Sequence, residues 1–157
     1  MSLIKVKEYL KQYGIENRIV ELDESSASVK EAAHALHTTE AAIAKSIAMM
    51  IDNEPSIIVL AGDMKLDNHK FKEEFHVKAK MLPFEETEAI VGHAPGGVCP
   101  FGVNENVKIY LDESLKAHDF VYPACGSSNS AIKLSLDELE KISKPVKWVN
   151  VGKGKDE

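Results

Sequence analysis

Ser46-Ile47-Ala48-Met49-Met50-Ile51 and Ile57-Ile58-Val59-Leu60-Ala61, joined across the turn signal Asn53-Glu54-Pro55-Ser56, set the architecture of this chain. Both segments are apolar on each alternating face. Continuous apolar runs of this length predict central strands of a sheet that is covered on both sides.

Outward from this pair, helix and strand signals interleave without a regular repeat. Apolar residues at Val6, Tyr9, Leu10 and Tyr13 follow i, i+3, i+4, i+7 spacing and predict an amphipathic helix over 3–13, with Gly14 placed to stop it. Arg18 to Leu22 reads as a short strand. Ser28 followed by Glu31 has the spacing of a capping box, and Thr38 or Thr39 can open a shorter helix leading to Ala44-Lys45. Leu66 to Phe75 reads as a polar surface helix, and Pro83 and Gly92 bracket another. Strands are predicted at 107–111, 120–122, 131–134 and 146–151. Ser135 with Glu138 forms a second capping box at the head of a helix reaching about Ile142. The irregular order predicts an α/β (α+β) domain with a mixed sheet rather than a regular doubly wound one. One domain spanning 1–157 is expected, with 152–157 as a flexible tail.

Composition bounds the function. The 157 residues carry a formal net charge of −6. That balance argues against a protein that grips a long stretch of DNA, because such binding neutralises many phosphates. It leaves room for one that touches only the end of a nucleic acid. No apolar run approaches the length needed to span a bilayer, and the charged N-terminus does not read as a signal peptide, so a cytoplasmic protein without a membrane partner is expected. The two cysteines, Cys99 and Cys125, are too few for a disulfide framework and lack the pairing of a zinc knuckle. No metal or cofactor is expected.

Three features can carry chemistry. Lys45 lies between Ile43-Ala44 and a strand with almost no polar side chains. Its ammonium either snorkels to solvent or is held at a pocket rim to bind a phosphate or carboxylate as a point charge. The stretch from Gly92 to Gly102 contains four glycines and two prolines in eleven residues. It forms either a wide surface turn or a loop whose N–H groups hold a carbonyl oxygen or an oxyanion. It is not a P-loop, since no Gly-Lys-Ser/Thr ends it. His93 in this loop is a hydrogen-bonding residue or a general base. Cys99 as a nucleophile would need a positioned base that the spacing does not supply. Finally, Cys125-Gly126-Ser127-Ser128-Asn129-Ser130 suits a tight turn or a surface for polar ligand groups.

Taken in order, Ile43-Ala44-Lys45-Ser46-Ile47, Leu60-Ala61-Gly62-Asp63, Gly96-Gly97-Val98-Cys99-Pro100-Phe101-Gly102, Leu111-Asp112-Glu113-Ser114-Leu115, Gly126-Ser127-Ser128-Asn129 and Ile132-Lys133-Leu134-Ser135 resemble the YbaK/ProX family, whose domain is also inserted in bacterial prolyl-tRNA synthetases as an editing module. The resemblance implies a mixed, partly barrel-like sheet packed with helices. It implies a metal-independent aminoacyl-tRNA deacylase that acts in trans on the ester of mischarged tRNA, with alanyl- or cysteinyl-tRNA(Pro) as the family's usual substrates. The implied partners are the acceptor end of aminoacyl-tRNA and a prolyl-tRNA synthetase.

The same resemblance assigns Lys45 to the terminal adenosine phosphate and Gly96 to Pro100 to the aminoacyl carbonyl. Catalytic roles are thereby expected at Lys45, Gly96 and Gly97, and substrate binding at His93, Val98, Cys99, Pro100, Gly126, Ser127, Ser128 and Asn129. Two positions depart from the family pattern. Cys99 stands where serine is common, and His93 stands where many members carry an aromatic residue. A non-catalytic module of the same fold, binding tRNA, a synthetase or a small ligand, is the alternative.

Overall fold

The computed structural model describes residues 2–154. In chain order its elements are α1 (Ser2–Lys11), β1 (Val20–Glu21), α2 (Val29–Ala35), β2 (Ile43–Ile51), β3 (Glu54–Ala61), β4 (Met64–Leu66), α3 (Asn68–Phe75), β5 (Lys80–Met81), α4 (Thr87–Val91), β6 (Lys108–Asp112), β7 (Phe120–Pro123), β8 (Ser130–Ala131), β9 (Leu134–Ser135), α5 (Leu136–Ser143), β10 (Lys147–Val149) and β11 (Gly152–Gly154).

The local signals act as the residues dictate. Ser28 Oγ accepts the Glu31 N–H at the head of α2, and Thr39 caps a 3-10 turn at Glu40–Ala42 rather than a longer helix. Both halves of the Ser135–Glu138 capping box are present. Gly14 and Gly92 take positive φ (70° and 99°) where α1 and α4 end, a conformation open to glycine without steric cost.

The main sheet has seven strands in the order β10-β6-β3-β2-β7-β9, with β5 also paired to β2. It is mixed: β2–β7, β3–β6 and β6–β10 run parallel, whereas β2–β3, β2–β5 and β7–β9 run antiparallel. The sheet curls into a half-barrel flanked by helices. β2 and β3 form its centre as a hairpin whose loop is Asp52-Asn53, both at positive φ (50° and 66°). Their two faces explain the doubly apolar sequence. Ala44, Ile57 and Val59 pack with Val6, Leu10, Phe101, Leu111 and Leu139 on one side. Met49, Ile51, Ile58 and Leu60 pack with Phe71, Tyr110 and Val151 on the other.

The C-terminal end corrects one expectation. Gly152–Gly154 do not belong to a flexible tail: they pair antiparallel with Met64–Leu66, and Lys70 Nζ donates to the Gly152 carbonyl at 2.8 Å. The pairing is made by backbone groups, so a Gly-Lys-Gly segment can form it without an apolar pattern. Residues 155–157 lie outside the described residues.

One break in the sheet positions the site. The hairpin register joins Ile51 to Glu54, so the odd-numbered residues of β2 point their backbone groups at β3 and the even-numbered ones point away. On that far edge β7 reaches only Ile43 and Ala44. β5 covers Met49 and Met50, and the Leu82 N–H adds a bond to the Ala48 carbonyl at 3.2 Å. Between them the edge of β2 is open at Ser46.

Candidate active site

A cavity of about 380 Å³ lies against this open edge. Its floor is Ile43 to Ala48, and its walls come from the 26–32 segment, from Pro95, Gly96 and Val98, from Met81, Leu82, Phe84 and Thr87, and from Tyr122, Ala124, Ser130 and Ala131. Among the described residues that line it, Lys45 is the single charged one, and none is an aspartate, glutamate or histidine. An ammonium at the wall of such a cavity suits an anionic ligand group.

Lys45 is partly buried, and its Nζ donates to the Met64 carbonyl on β4. An ammonium has three donors, and this bond steers the head group. β4 is itself held by β11, so the C-terminal strand stands behind the lysine.

Gly96 has φ +92°, and a Cβ there would come within 3.3 Å of the Ala27 Cβ. Gly97 is tighter: its Cβ would lie 2.5 Å from the Gly126 carbonyl carbon and 2.6 Å from the Ser127 nitrogen. The two loops singled out by sequence therefore touch at Gly97. The Gly97 N–H already donates to the Ala94 carbonyl at 3.0 Å, and the residue is buried and does not line the cavity. Gly96 and Val98, its neighbours, do line it.

The structure turns other expected site residues inward. His93 is fully buried, with Nε2 2.7 Å from the Phe101 carbonyl. Cys99 is fully buried in the main core, and Pro100 is buried beside it. None of the three lines the cavity. Burial lowers the His93 pKa and pushes the Cys99 thiol up to about 12. A thiol with that pKa is protonated near neutrality, which removes it as a nucleophile.

Gly126, Ser127, Ser128 and Asn129 stand behind the wall rather than in it. They stitch the turn to the 22–26 segment. The Leu22 N–H donates to the Asn129 carbonyl while Asn129 Nδ2 donates to the Leu22 carbonyl, Ser128 accepts from the Ser26 N–H at 2.6 Å, and Ser127 Oγ meets Ser130 Oγ at 2.6 Å. Ser26 and Ser130, which this turn positions, line the cavity. Ser130 closes the Cys125–Ser130 stretch that the sequence marks, whereas nothing in the sequence marks Ser26, because a small polar residue near a turn carries no pattern of its own. Phe84 was missed for a different reason. It follows the helix-start proline, yet it is 75% exposed at the cavity margin.

Among the described residues no group of three or more His, Cys, Asp or Glu side chains could hold a metal ion. No helix there is long and apolar enough to cross a membrane.

Residues 23–142 match the model of the aminoacyl-tRNA editing domain. The chain is 43% identical over 154 residues to the uncharacterized protein YwhH of Bacillus subtilis (strain 168), covering 98% of each. It is 30% identical over 130 residues to the proline–tRNA ligase of Shouchella clausii (strain KSM-K16), covering 82% of this chain and 20% of that one. The match to the ligase is thus to about a fifth of its length. A crystal structure of a candidate trans-editing enzyme for prolyl tRNA synthetase superposes with a TM-score of 0.87 at 27% identity, covering 98% of each chain.

Proposed function

The chain belongs to the aminoacyl-tRNA editing domain family, and on that premise we propose that it is a trans-acting deacylase that removes a wrong amino acid from the 3′ end of tRNA. Water adds to the ester carbonyl carbon, and the carbonyl oxygen takes up negative charge. The tetrahedral species then collapses by breaking the bond to the ribose oxygen, which takes a proton. The products are a free amino acid and an uncharged tRNA.

The observation that carries this reading is the cavity at the β2 edge, with Lys45 as its single charged lining residue and a glycine-rich loop as one wall. Lys45 is assigned to the terminal phosphate, as a point charge. The N–H groups of Gly96 and Val98 are assigned to the carbonyl oxygen as it becomes an oxyanion. Gly97 is removed from that role because its N–H is engaged by Ala94. The ester is already activated, so positioning and oxyanion stabilisation supply most of the rate without a metal. With no carboxylate or imidazole among the described residues of the lining, a ribose hydroxyl of the substrate is the group assigned to the water's proton.

Alanyl- and cysteinyl-tRNA(Pro) are the proposed substrates, and a prolyl-tRNA synthetase the proposed partner. Selectivity between small side chains at such a site is worth about 1–3 kcal/mol per methylene.

The test is a panel of mischarged tRNAs offered to wild type and Lys45→Ala together. Wild type is expected to deacylate the alanyl or cysteinyl species, and Lys45→Ala to lose about 10- to 100-fold in kcat/KM with an unchanged circular dichroism spectrum. Wild type that binds tRNA but turns over none of the panel sinks the hydrolytic reading in favour of a binding module.

A further inference from the structure

The open edge of β2 has the polarity of half a β-bridge. Ala44, Ser46, Ala48 and Met50 all direct their backbone groups away from β3, as the hairpin register requires and as the Leu82-to-Ala48 bond confirms for that side. β7 reaches no further than Ala44, and β5 with Leu82 takes Met50 and the Ala48 carbonyl. The Ser46 N–H and C=O and the Ala48 N–H therefore face the cavity beyond the reach of either neighbouring ladder. All of Lys45, Ser46, Ile47 and Ala48 line that cavity. Ser46 is only partly buried, whereas its Oγ is buried without a hydrogen-bond partner among the described residues. The side chain thus faces inward, and the backbone presents the residue to a ligand.

A backbone donor and acceptor that neither neighbouring strand pairs are open to a ligand that supplies the complement to both. An aminoacyl group is that complement. It carries an ammonium donor and a carbonyl acceptor on the same α-carbon, as one residue of a strand does. We propose that the Ser46 backbone is the subsite for the amino acid's own main-chain atoms: the Ser46 C=O accepts from the α-ammonium and the Ser46 N–H donates to the ester carbonyl. The pairing is that of two directly opposed residues exchanging both bonds in an antiparallel ladder. A carbonyl oxygen has two lone pairs, so the loop wall can supply its second donor. The subsite recognises an aminoacyl group with a free α-ammonium, irrespective of its side chain. It rests on the deacylase reading for the identity of its ligand.

The probe is 3′-(L-alanylamino)-3′-deoxyadenosine 5′-phosphate, an amide analogue that is not turned over as the ester is. Amide hydrogen exchange by NMR should show the Ser46 N–H exchanging freely in the ligand-free protein and about tenfold or more slowly in the saturated complex. The propionyl analogue, which lacks the α-amino group, should bind about tenfold more weakly. Ser46→Pro removes the N–H that faces the cavity and takes no donor from the β2–β3 ladder, a position where a strand tolerates proline. Its kcat/KM should fall about tenfold or more below that of Ser46→Ala, which keeps both backbone groups. If Ser46→Pro does not fold, the exchange measurement on wild type still decides.

Failure of the alanyl analogue to bind, or binding that leaves the Ser46 amide exchange unchanged, overturns the subsite. Equal affinity for the alanyl and propionyl analogues overturns it as well. Protection of Ser46 without deacylation of any mischarged tRNA keeps the subsite and removes the hydrolytic reading. Deacylation with an unprotected Ser46 does the reverse.

Discussion

Cys99 Sγ lies 3.6 Å from His93 Nε2, and both side chains are fully buried. The pair has the composition of a thiol–imidazole catalytic couple and none of its electrostatics. Burial pushes the thiol up to about 12 and holds the imidazole neutral, opposite to the ion pair that activates a cysteine. Both groups are oriented on the Phe101 carbonyl, so they act as a clip inside the Gly92–Gly102 loop.

Cys99→Ser should therefore keep deacylation within a few-fold of wild type. Iodoacetamide at pH 8 should leave Cys99 unmodified in the native protein and label it after unfolding in urea. Rapid native labelling of Cys99 accompanied by loss of activity would revive a thiol mechanism.

His93 also sets a pH dependence. Its folded pKa lies below the ordinary 6.5, chiefly because burial penalises the imidazolium. As pH falls below 6.5 the unfolded chain takes up a proton that the folded chain refuses, so stability is lost from there down to the folded pKa. Urea unfolding from pH 8 to pH 5 should show a falling midpoint below about pH 6.5, and His93→Gln should flatten that part of the curve. The loss of the Arg18–Glu138 bond falls in a separate window, between the ordinary 4.5 of Glu138 and its folded value of about 2.

Gly97→Ala tests the contact between the two loops. Its Cβ would be driven into the backbone at Gly126 and Ser127, where no flexible side chain can yield. A loss of about 1–3 kcal/mol in stability is expected, with lower activity as the Gly96 and Val98 wall shifts. Gly96→Ala, strained by its positive φ but closer to ordinary contact distance, should show reduced activity with less damage to stability. A Gly97→Ala protein of native stability would contradict the packing described.

Truncation after Val151 should act at a distance. It removes the β11 pairing to β4 and the Lys70–Gly152 bond, and the melting temperature should drop by on the order of 5 °C. β4 supplies the Met64 carbonyl that holds Lys45 Nζ, so kcat/KM should fall as well. Deletion of residues 155–157 alone is the control. If the longer truncation leaves kcat/KM at the control's value, β11 does not support the lysine.

The hairpin of β2 and β3 was legible because Ile47, Met49, Ile58 and Leu60 meet one core while Ala44, Ile57 and Val59 meet another. A continuous apolar run states that need directly. Ser28, Ser135 and Gly92 were legible because capping chemistry is local. β11 was not, since Gly-Lys-Gly contributes backbone alone and its partner lies far away in sequence. The directions of His93 and Cys99 were hidden because a loop rich in glycine and proline has no periodicity from which to read inside and outside. Lys45 was visible as a cation in an apolar run. The opening beside it was not, because it exists only where β7 and β5 stop short of each other along β2.

That opening is short: β7 bounds it at Ala44 and Leu82 bounds it at the Ala48 carbonyl. A peptide lying along the strand would have to displace Leu82 from the Ala48 carbonyl or β7 from Ala44 to complete a second pair. With the Ser46 subsite as proposed, the sheet edge favours a single amino acid on its tRNA over a nascent polypeptide. A deacylase with that subsite is expected to leave peptidyl-tRNA uncut, and peptidyl-tRNA should survive incubation with amounts of protein that clear the mischarged species.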